Sequence, residues 1–76
     1  MRIRYDASVD AAYIYLADEI WLGNAAKTYP CDPIEVDGMI NLDFNSEGRL
    51  IGIQVLSASA KLPPELLKLA EKRQSP

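Results

Sequence analysis

The chain has no histidine and only one cysteine, Cys31. A single thiol cannot form a disulfide within one chain, and a zinc site built without histidine needs a ligand set that is rare. No histidine is present to activate Cys31 as a nucleophile, so the sequence argues against cysteine catalysis. Disulfides, metals and oligomerisation are the usual aids of small domains. We therefore expect this protein to form a homo-oligomer.

Phosphate-binding glycine motifs and long apolar runs are also missing. The four glycines fit neither G-x-x-x-x-G-K nor G-x-G-x-x-G, so we expect no nucleotide and no other cofactor. No apolar run approaches the ~20 residues of a membrane-spanning helix. The first residues also lack the apolar core of a secretory signal. These absences predict a cytoplasmic protein with no membrane partner.

The charge balance is acidic overall and uneven along the chain. The net charge is −3, and residues 1–38 carry three basic and seven acidic side chains. The late basic residues are too few to form a phosphate-binding surface. We therefore expect no nucleic-acid partner.

The size and composition are typical of a small globular protein. The chain has 76 residues, of which 49% are hydrophobic and 25% charged. These values indicate a single domain over residues 1–76.

The most regular pattern lies in residues 39–56, M-I-N-L-D-F-N-S-E-G-R-L-I-G-I-Q-V-L. Apolar residues recur at every second position on both sides of Asn45-Ser46-Glu47-Gly48, which predicts a β-hairpin. The run Asp43-x-Asn45-x-Glu47-Gly48 also matches the first half of an EF-hand calcium loop. Because the twelfth position falls on Gln54 and strands replace the flanking helices, we interpret the run as a turn, with Gly48 at a positive φ.

The N-terminal part predicts a second hairpin. Residues 2–6 alternate in polarity, and residues 11–17 (A-A-Y-I-Y-L-A) have high β propensity. A connection bounded by Asp6 and Asp10 joins them. A helix over residues 10–16 is the competing interpretation. In the strand interpretation, one register turns Ala12, Ile14 and Leu16 to the core. Tyr13 and Tyr15 then face outward or cover an edge.

Residues 25–31 predict a third strand, placed at an edge because Pro30 cannot donate a backbone hydrogen bond. Pro63 and Pro64 predict the start of a helix over about residues 63–73. The predicted fold class is therefore α+β: a curled antiparallel β-meander of about five strands over residues 2–57, with one C-terminal helix.

Several apolar residues are candidates for contact with a partner. Leu62, Leu66 and Leu69 have the spacing of one helical stripe. This stripe can pack on the chain's own sheet or on a second chain. Trp21 and Leu22 lie in a break between predicted strands, where bulky apolar residues either fill the core or anchor a partner.

The carboxylates are the remaining candidates for chemistry. Asp6 and Asp10 flank one tight connection, and with Asp43 they would suit metal-assisted hydrolysis if folding brought them together. Aspartates at turns also commonly accept hydrogen bonds from backbone amides. On this basis we assign no catalytic, cofactor or metal residue. The acidic residues Asp32, Glu35 and Asp37 are most simply a solvated loop.

Two segments resemble a small bacterial family called domain of unknown function 2283. They are I-R-Y-D-x-x-x-D-A-A-Y-I-Y-L in residues 3–16 and G-M-I-N-L-D-F-N-S-E-G-R-L-I-G-I-Q-V-L-S-A-S in residues 38–59. Residues 18–24 look longer than the family's usual connection. The resemblance implies a compact β-rich domain without an established activity, sometimes encoded beside small toxin-like proteins. It supplies no catalytic residues. The residues shared with the family fit turn and packing roles: Asp6, Asp10, Tyr13, Gly48 and Gly52.

These observations leave three hypotheses about function. The first is a non-enzymatic, self-associating protein-interaction module that can bind a further small protein. The second is an antitoxin-like neutraliser of a small toxin ribonuclease, in which the acidic N-terminal half covers a basic surface. The third is a metal-assisted hydrolase that uses Asp6, Asp10 and Asp43.

Overall fold

The computed structural model describes residues 2–16 and 25–72, with only the backbone described for the last two. The described chain forms one sheet and three short helices. In chain order the elements are β1 (Arg2–Asp6), β2 (Ala11–Tyr15), β3 (Lys27–Pro30), α1 (Pro33–Val36), β4 (Ile40–Phe44), β5 (Leu50–Leu56), α2 (Ala58–Lys61), α3 (Pro64–Leu69) and β6 (Glu71–Lys72).

The sheet is antiparallel through its five main strands, as expected, but it is not a meander. Its order is β3-β4-β5-β2-β1-β6, so β2 pairs with β5 and not with β3. The two-residue strand β6 adds to β1 in parallel. Local pairing explains the hairpins β1–β2 and β4–β5 and the pair β3–β4, whereas the central β2–β5 pair joins segments about forty residues apart.

Both predicted hairpins are confirmed, and polar side chains fix their turns. Asp6 Oδ1 accepts hydrogen bonds from the Ser8 amide at 3.0 Å and from its hydroxyl at 2.6 Å. Asn45 Oδ1 accepts from the amides of Glu47 and Arg49 at 2.9 and 3.0 Å. Side chains of this kind stabilise a turn by bonding to backbone amides within a few residues. The Asn45 oxygen is therefore used within the turn, where an EF-hand would direct it to calcium.

The third strand lies at the predicted edge. All four residues of β3 are exposed, and β4 is its partner. The Cys31 amide donates to the Ile40 carbonyl at 2.8 Å just after Pro30, which has no amide hydrogen to give.

The core lies where α2 and α3 cover part of the sheet. Ala12, Val55 and Ala58 form its centre, each no more than 3% exposed, and Leu62 and Leu67 pack against them. Ala12 and Ala58 are small, which lets the helix backbone approach the sheet closely. Among the described residues the larger buried hydrophobic side chains are only Ile3, Tyr15 and Val55.

The C-terminal helix is shorter than predicted, and it is one of three. Residues 58–61, which precede the predicted helix, form α2, and Leu62 follows α2 in an extended conformation. Helix α3 ends at Leu69, after which Glu71 and Lys72 pair with the backbone of β1. A free strand edge offered these residues backbone partners, which outweighed their helix propensity.

Residues 33–36 form the short helix α1 where the sequence suggested a solvated loop. Asp32 Oδ1 accepts from the Ile34 amide at 2.9 Å and caps the first turn. All three acidic residues of this region, Asp32, Glu35 and Asp37, remain exposed.

The predicted alternation of residues 11–16 is right, but the burial of two side chains differs from the prediction. Ala12 is buried and Ile14 half-buried, as expected, but Leu16 is 38% exposed. Tyr15, expected to face outward, is only 7% exposed. It lies on the opposite face from Ala12, where neighbouring aromatic and arginine side chains cover it.

Candidate functional site

One face of the sheet carries an apolar row that crosses all five antiparallel strands. The register pairs Tyr29 with Leu42, Leu42 with Ile53, Ile53 with Ile14, and Ile14 with Ile3. Paired residues of adjacent strands share a face of the sheet. These five side chains therefore form one continuous line, which we call the apolar row.

The exposure of this row rises from one end to the other. Ile3 is 7% exposed, the three central members are half-buried, and Tyr29 is 55% exposed. The principal helix contacts explain this gradient: α3 lies against β1, and α2 lies against β2 and β5. We call the two members on the strands beyond these contacts, Tyr29 and Leu42, the open half of the apolar row.

The edge strand beside this row is poorly suited to strand pairing with another chain. β3 has four residues, begins with Lys27 and ends with Pro30. Short length, lysine and proline all discourage the addition of a further strand. The open half of the row is thus a better candidate for contact than the edge.

The opposite face of the sheet is polar and aromatic. Tyr13 donates from its hydroxyl to Asp43 Oδ2 at 2.5 Å, and Thr28 donates to Asp43 Oδ1 at 2.6 Å. The Tyr13 bond joins β2 to β4 across β5, the strand that carries Gly52. The Thr28 bond joins the neighbouring strands β3 and β4. A Cβ atom at position 52 would lie 2.5 Å from Tyr13 Cζ. Glycine is therefore needed there so that the tyrosine ring can cross the strand.

Burial and the Asp43 carboxylate together raise the pKa of Tyr13 above its ordinary value. Next to it the rings of Tyr13 and Tyr15 meet edge to face, with centroids 4.7 Å apart. The Arg2 guanidinium lies 5.1 Å from the centroid of the Tyr15 ring, within the range of a cation–π contact.

Asp10 joins the first hairpin to α2. Its carboxylate accepts hydrogen bonds from the Tyr5 hydroxyl at 2.7 Å, from the Ser59 amide at 2.9 Å and from the Ser59 hydroxyl at 2.7 Å. The Asp10 carbonyl also accepts from the Ala58 amide at 2.9 Å. The bond from Tyr5, followed by those from Ser59, lowers the pKa of Asp10, and the same contact raises the pKa of Tyr5.

The three carboxylates of the hydrolase hypothesis do not form one site. Asp6 is on β1 and Asp43 on β4, three strands apart in the sheet, which is about 14 Å across the sheet at about 4.8 Å per strand. The register sets them a further four residues apart along the strands, because Asp43 is level with Arg2. Asp10 bonds to Tyr5 and Ser59. Within residues 2–16 and 25–72, no group of three or more histidine, cysteine, aspartate or glutamate side chains is placed to hold a metal ion.

The candidate contact residues from the sequence have different outcomes. Trp21 and Leu22 lie outside the described residues. Leu66 is half-buried and Leu69 is 78% exposed, whereas Leu67, which is not a member of the predicted stripe, packs against the core. The stripe prediction is wrong because Leu62 and Leu69 do not share one continuous helix.

Sequence reasoning did not single out Tyr29 and Leu42 as a contact surface. The alternation in residues 39–56 could indicate which way Leu42 faces, but nothing local indicates that the helices of residues 25–72 leave it uncovered. That depends on where α2 and α3 pack.

No helix in the described part of the chain is both long enough and apolar enough to span a membrane.

Comparison with known proteins finds a family match. The model of the family described as "Protein of unknown function (DUF2283)" matches residues 2–59, which confirms the resemblance of the two motif segments. No curated protein and no solved structure matches the chain.

Proposed function

The chain belongs to the DUF2283 family, and from this premise we propose that it is a non-enzymatic protein-interaction module that self-associates through the open half of the apolar row. The observation that carries the proposal is the exposure gradient, from Ile3 at 7% to Tyr29 at 55%. The row is built like a core, and the helices of the described chain cover only one end of it.

A thin core supports a second copy as the partner. Small domains bury a low fraction of their surface, and this one holds few large buried side chains among its described residues. Every folded copy has this small buried core, so a partner that adds buried apolar surface must be present whenever the chain folds. Another copy of the chain meets that condition, and a two-fold contact lets one row serve both partners.

The energy available suits a weak dimer. Full burial of a large apolar side chain contributes about 1.5–3 kcal/mol. The half-buried members of the row would therefore contribute roughly 1 kcal/mol each, from both copies. Association itself costs an estimated 4–15 kcal/mol, so we expect the dimer to dissociate on dilution.

The hydrogen bonds that the carboxylates accept within the fold support the non-enzymatic part of the proposal. Asp10 and Asp43 each accept hydrogen bonds from a tyrosine and from a second hydroxyl group. These bonds hold the turn and the sheet together. Their roles are explained without substrate chemistry.

Neutralisation of a small toxin ribonuclease stays the second candidate. Exposed acidic side chains around α1, at positions 32, 35 and 37, support it because they could face a basic surface. Co-expression with the product of the adjacent gene is the test, and failure of the two proteins to co-purify would remove this candidate.

Light scattering on a size-exclusion column tests self-association. We expect a mass approaching twice the 8.4 kDa of one chain, falling on dilution. Tyr29→Glu should shift the protein to monomer because it puts a charge on the open half of the row. Ile34→Glu is the matched control: it puts the same charge on an apolar side chain that is 86% exposed and is not a member of the row. A wild-type protein that is monomeric at every concentration would refute the proposal.

A further inference from the structure

The polar face contains a depression of about 200 Å³ over β1, β2 and β5. At about 30 Å³ per water molecule, it has room for about seven waters or for a ligand of that size. Its polar and aromatic lining includes Arg4, Asp6, Tyr13, Tyr15 and Gln54.

The path of the Tyr13 side chain creates this space. The register places Arg4, Tyr13 and Gln54 side by side on adjacent strands. Tyr13 leans out of that line, over Gly52, to reach Asp43. The position between Arg4 and Gln54 is consequently left unfilled.

Three polar groups around the depression have hydrogen-bonding capacity to spare. Arg4 is half-buried, yet within the described part of the chain its guanidinium group makes no hydrogen bond or ion pair. Tyr15 is 93% buried, since 7% is exposed, and its hydroxyl group has no partner among the described residues while keeping access to solvent. Gln54 accepts from Asn41 through Oε1, which leaves its amide nitrogen as a donor.

The Arg4 guanidinium group reaches solvent and can pair with an anion through charge-assisted hydrogen bonds. The planar fork of arginine matches a carboxylate in two-bond geometry. Val9 and Ala11 add apolar surface beside the two tyrosine rings. Asp6 lines the same depression, two residues from Arg4 and about 7 Å along the strand, and disfavours a doubly charged ligand.

We propose that this depression binds a small monocarboxylate with a flat apolar body. The carboxylate bonds to Arg4 and the Gln54 amide nitrogen, the Tyr15 hydroxyl group supplies a further bond, and the apolar body lies along the tyrosine rings. This site lies on the face opposite the apolar row, so its failure and the failure of self-association are separate results.

Titration with benzoate, followed by ¹H–¹⁵N NMR, tests the site. We expect saturable shifts, in the millimolar range, confined to β1, β2, β5 and the Gln54 side-chain amide. Benzamide, which has the same shape without the charge, and acetate, which lacks the flat body, should both bind more weakly. Shifts that do not saturate, or equal binding of benzamide, would overturn the proposal. Tighter binding of inorganic phosphate would overturn the carboxylate assignment.

Substitutions test which residues bind benzoate. Arg4→Met should weaken benzoate binding about tenfold, as expected for loss of a charge-assisted pair. Arg49→Met is the matched control, because Arg49 lies exposed in the β4–β5 turn beside Glu47. Tyr15→Phe should weaken binding about threefold, the effect of one hydrogen bond. Gln54→Met, at an exposed position, tests the site if Arg4→Met does not fold. Unchanged affinity in folded Arg4→Met or Gln54→Met protein would contradict the assignment.

Discussion

At the scale of single residues, the position of the Tyr13 ring requires glycine at position 52. Gly52 does not have a positive φ, so its backbone could accept any residue. What excludes a side chain is the Tyr13 ring, whose Cε2 and Cζ lie 2.7 and 2.5 Å from the position of a Cβ atom. The Asp43 carboxylate holds the tyrosine hydroxyl and prevents the ring from moving aside.

A double-mutant cycle tests this pairing. Gly52→Ala should lower the free energy of unfolding by about 2 kcal/mol, as expected for an overpacked site. In a Tyr13→Ala background the same change should be neutral or stabilising by about 0.5 kcal/mol, because alanine restricts the unfolded chain more than glycine. Urea unfolding measures both. An equal loss in the two backgrounds would show that the ring is not the cause.

At the scale of elements, Asp10 connects the first hairpin to α2. Its backbone is left-handed, with φ of 52°, a conformation that aspartate and asparagine tolerate better than most residues. Its carbonyl and its carboxylate both accept from the first residues of α2. A polar contact therefore orients the helix whose Ala58 lies in the core.

Acid sensitivity should follow from this contact. The pKa of Asp10 is lowered in the folded protein, so its contribution to stability is present above the unfolded pKa of about 4. That contribution is lost as the pH falls below this value and through the lowered folded pKa. Asp10→Asn keeps the backbone preference, removes the charge, and should flatten the acid dependence of the melting temperature. Asp32→Asn, which makes the same substitution at the exposed cap of α1, is the matched control.

The outcome for α3 depends on packing and not on leucine spacing. Leu67→Ala should cost about 2 kcal/mol, at the low end for a buried leucine, because Leu67 packs against the core only partly buried. Leu69→Ala should change the free energy of unfolding by less than about 0.5 kcal/mol, since Leu69 is 78% exposed. Thermal and urea unfolding check both variants. A larger loss of unfolding free energy for Leu69→Ala would support the leucine stripe predicted from the sequence.

The sequence predicted what short-range patterns control. Alternation and turn residues gave the two hairpins, and Pro30 gave the edge position of β3. The β2–β5 pair and the strand β6 were beyond such reasoning, because each depends on a backbone edge supplied by a distant part of the chain. The Tyr13 to Asp43 bond was missed for the same reason: the two residues are thirty positions apart.

At the scale of the whole molecule, the sheet has two unlike faces. One is the apolar face, where α2 and α3 form the core and leave the open half of the apolar row. The other carries the tyrosines, Asp43 and the depression beside Arg4. Self-association on the first face would leave the second accessible, so one small chain could bind its own copy and a ligand together.

The most direct test of the central claim is an isotope-filtered NOE measurement on a mixture of ¹³C-labelled and unlabelled copies. We expect NOEs between the Leu42 methyl groups of labelled copies and aromatic or methyl protons of unlabelled copies, and we expect them to be lost in Tyr29→Glu but retained in Ile34→Glu. Absence of such NOEs at concentrations where the protein is dimeric, or their restriction to Leu69, would contradict the claim that the open half of the apolar row is the contact surface.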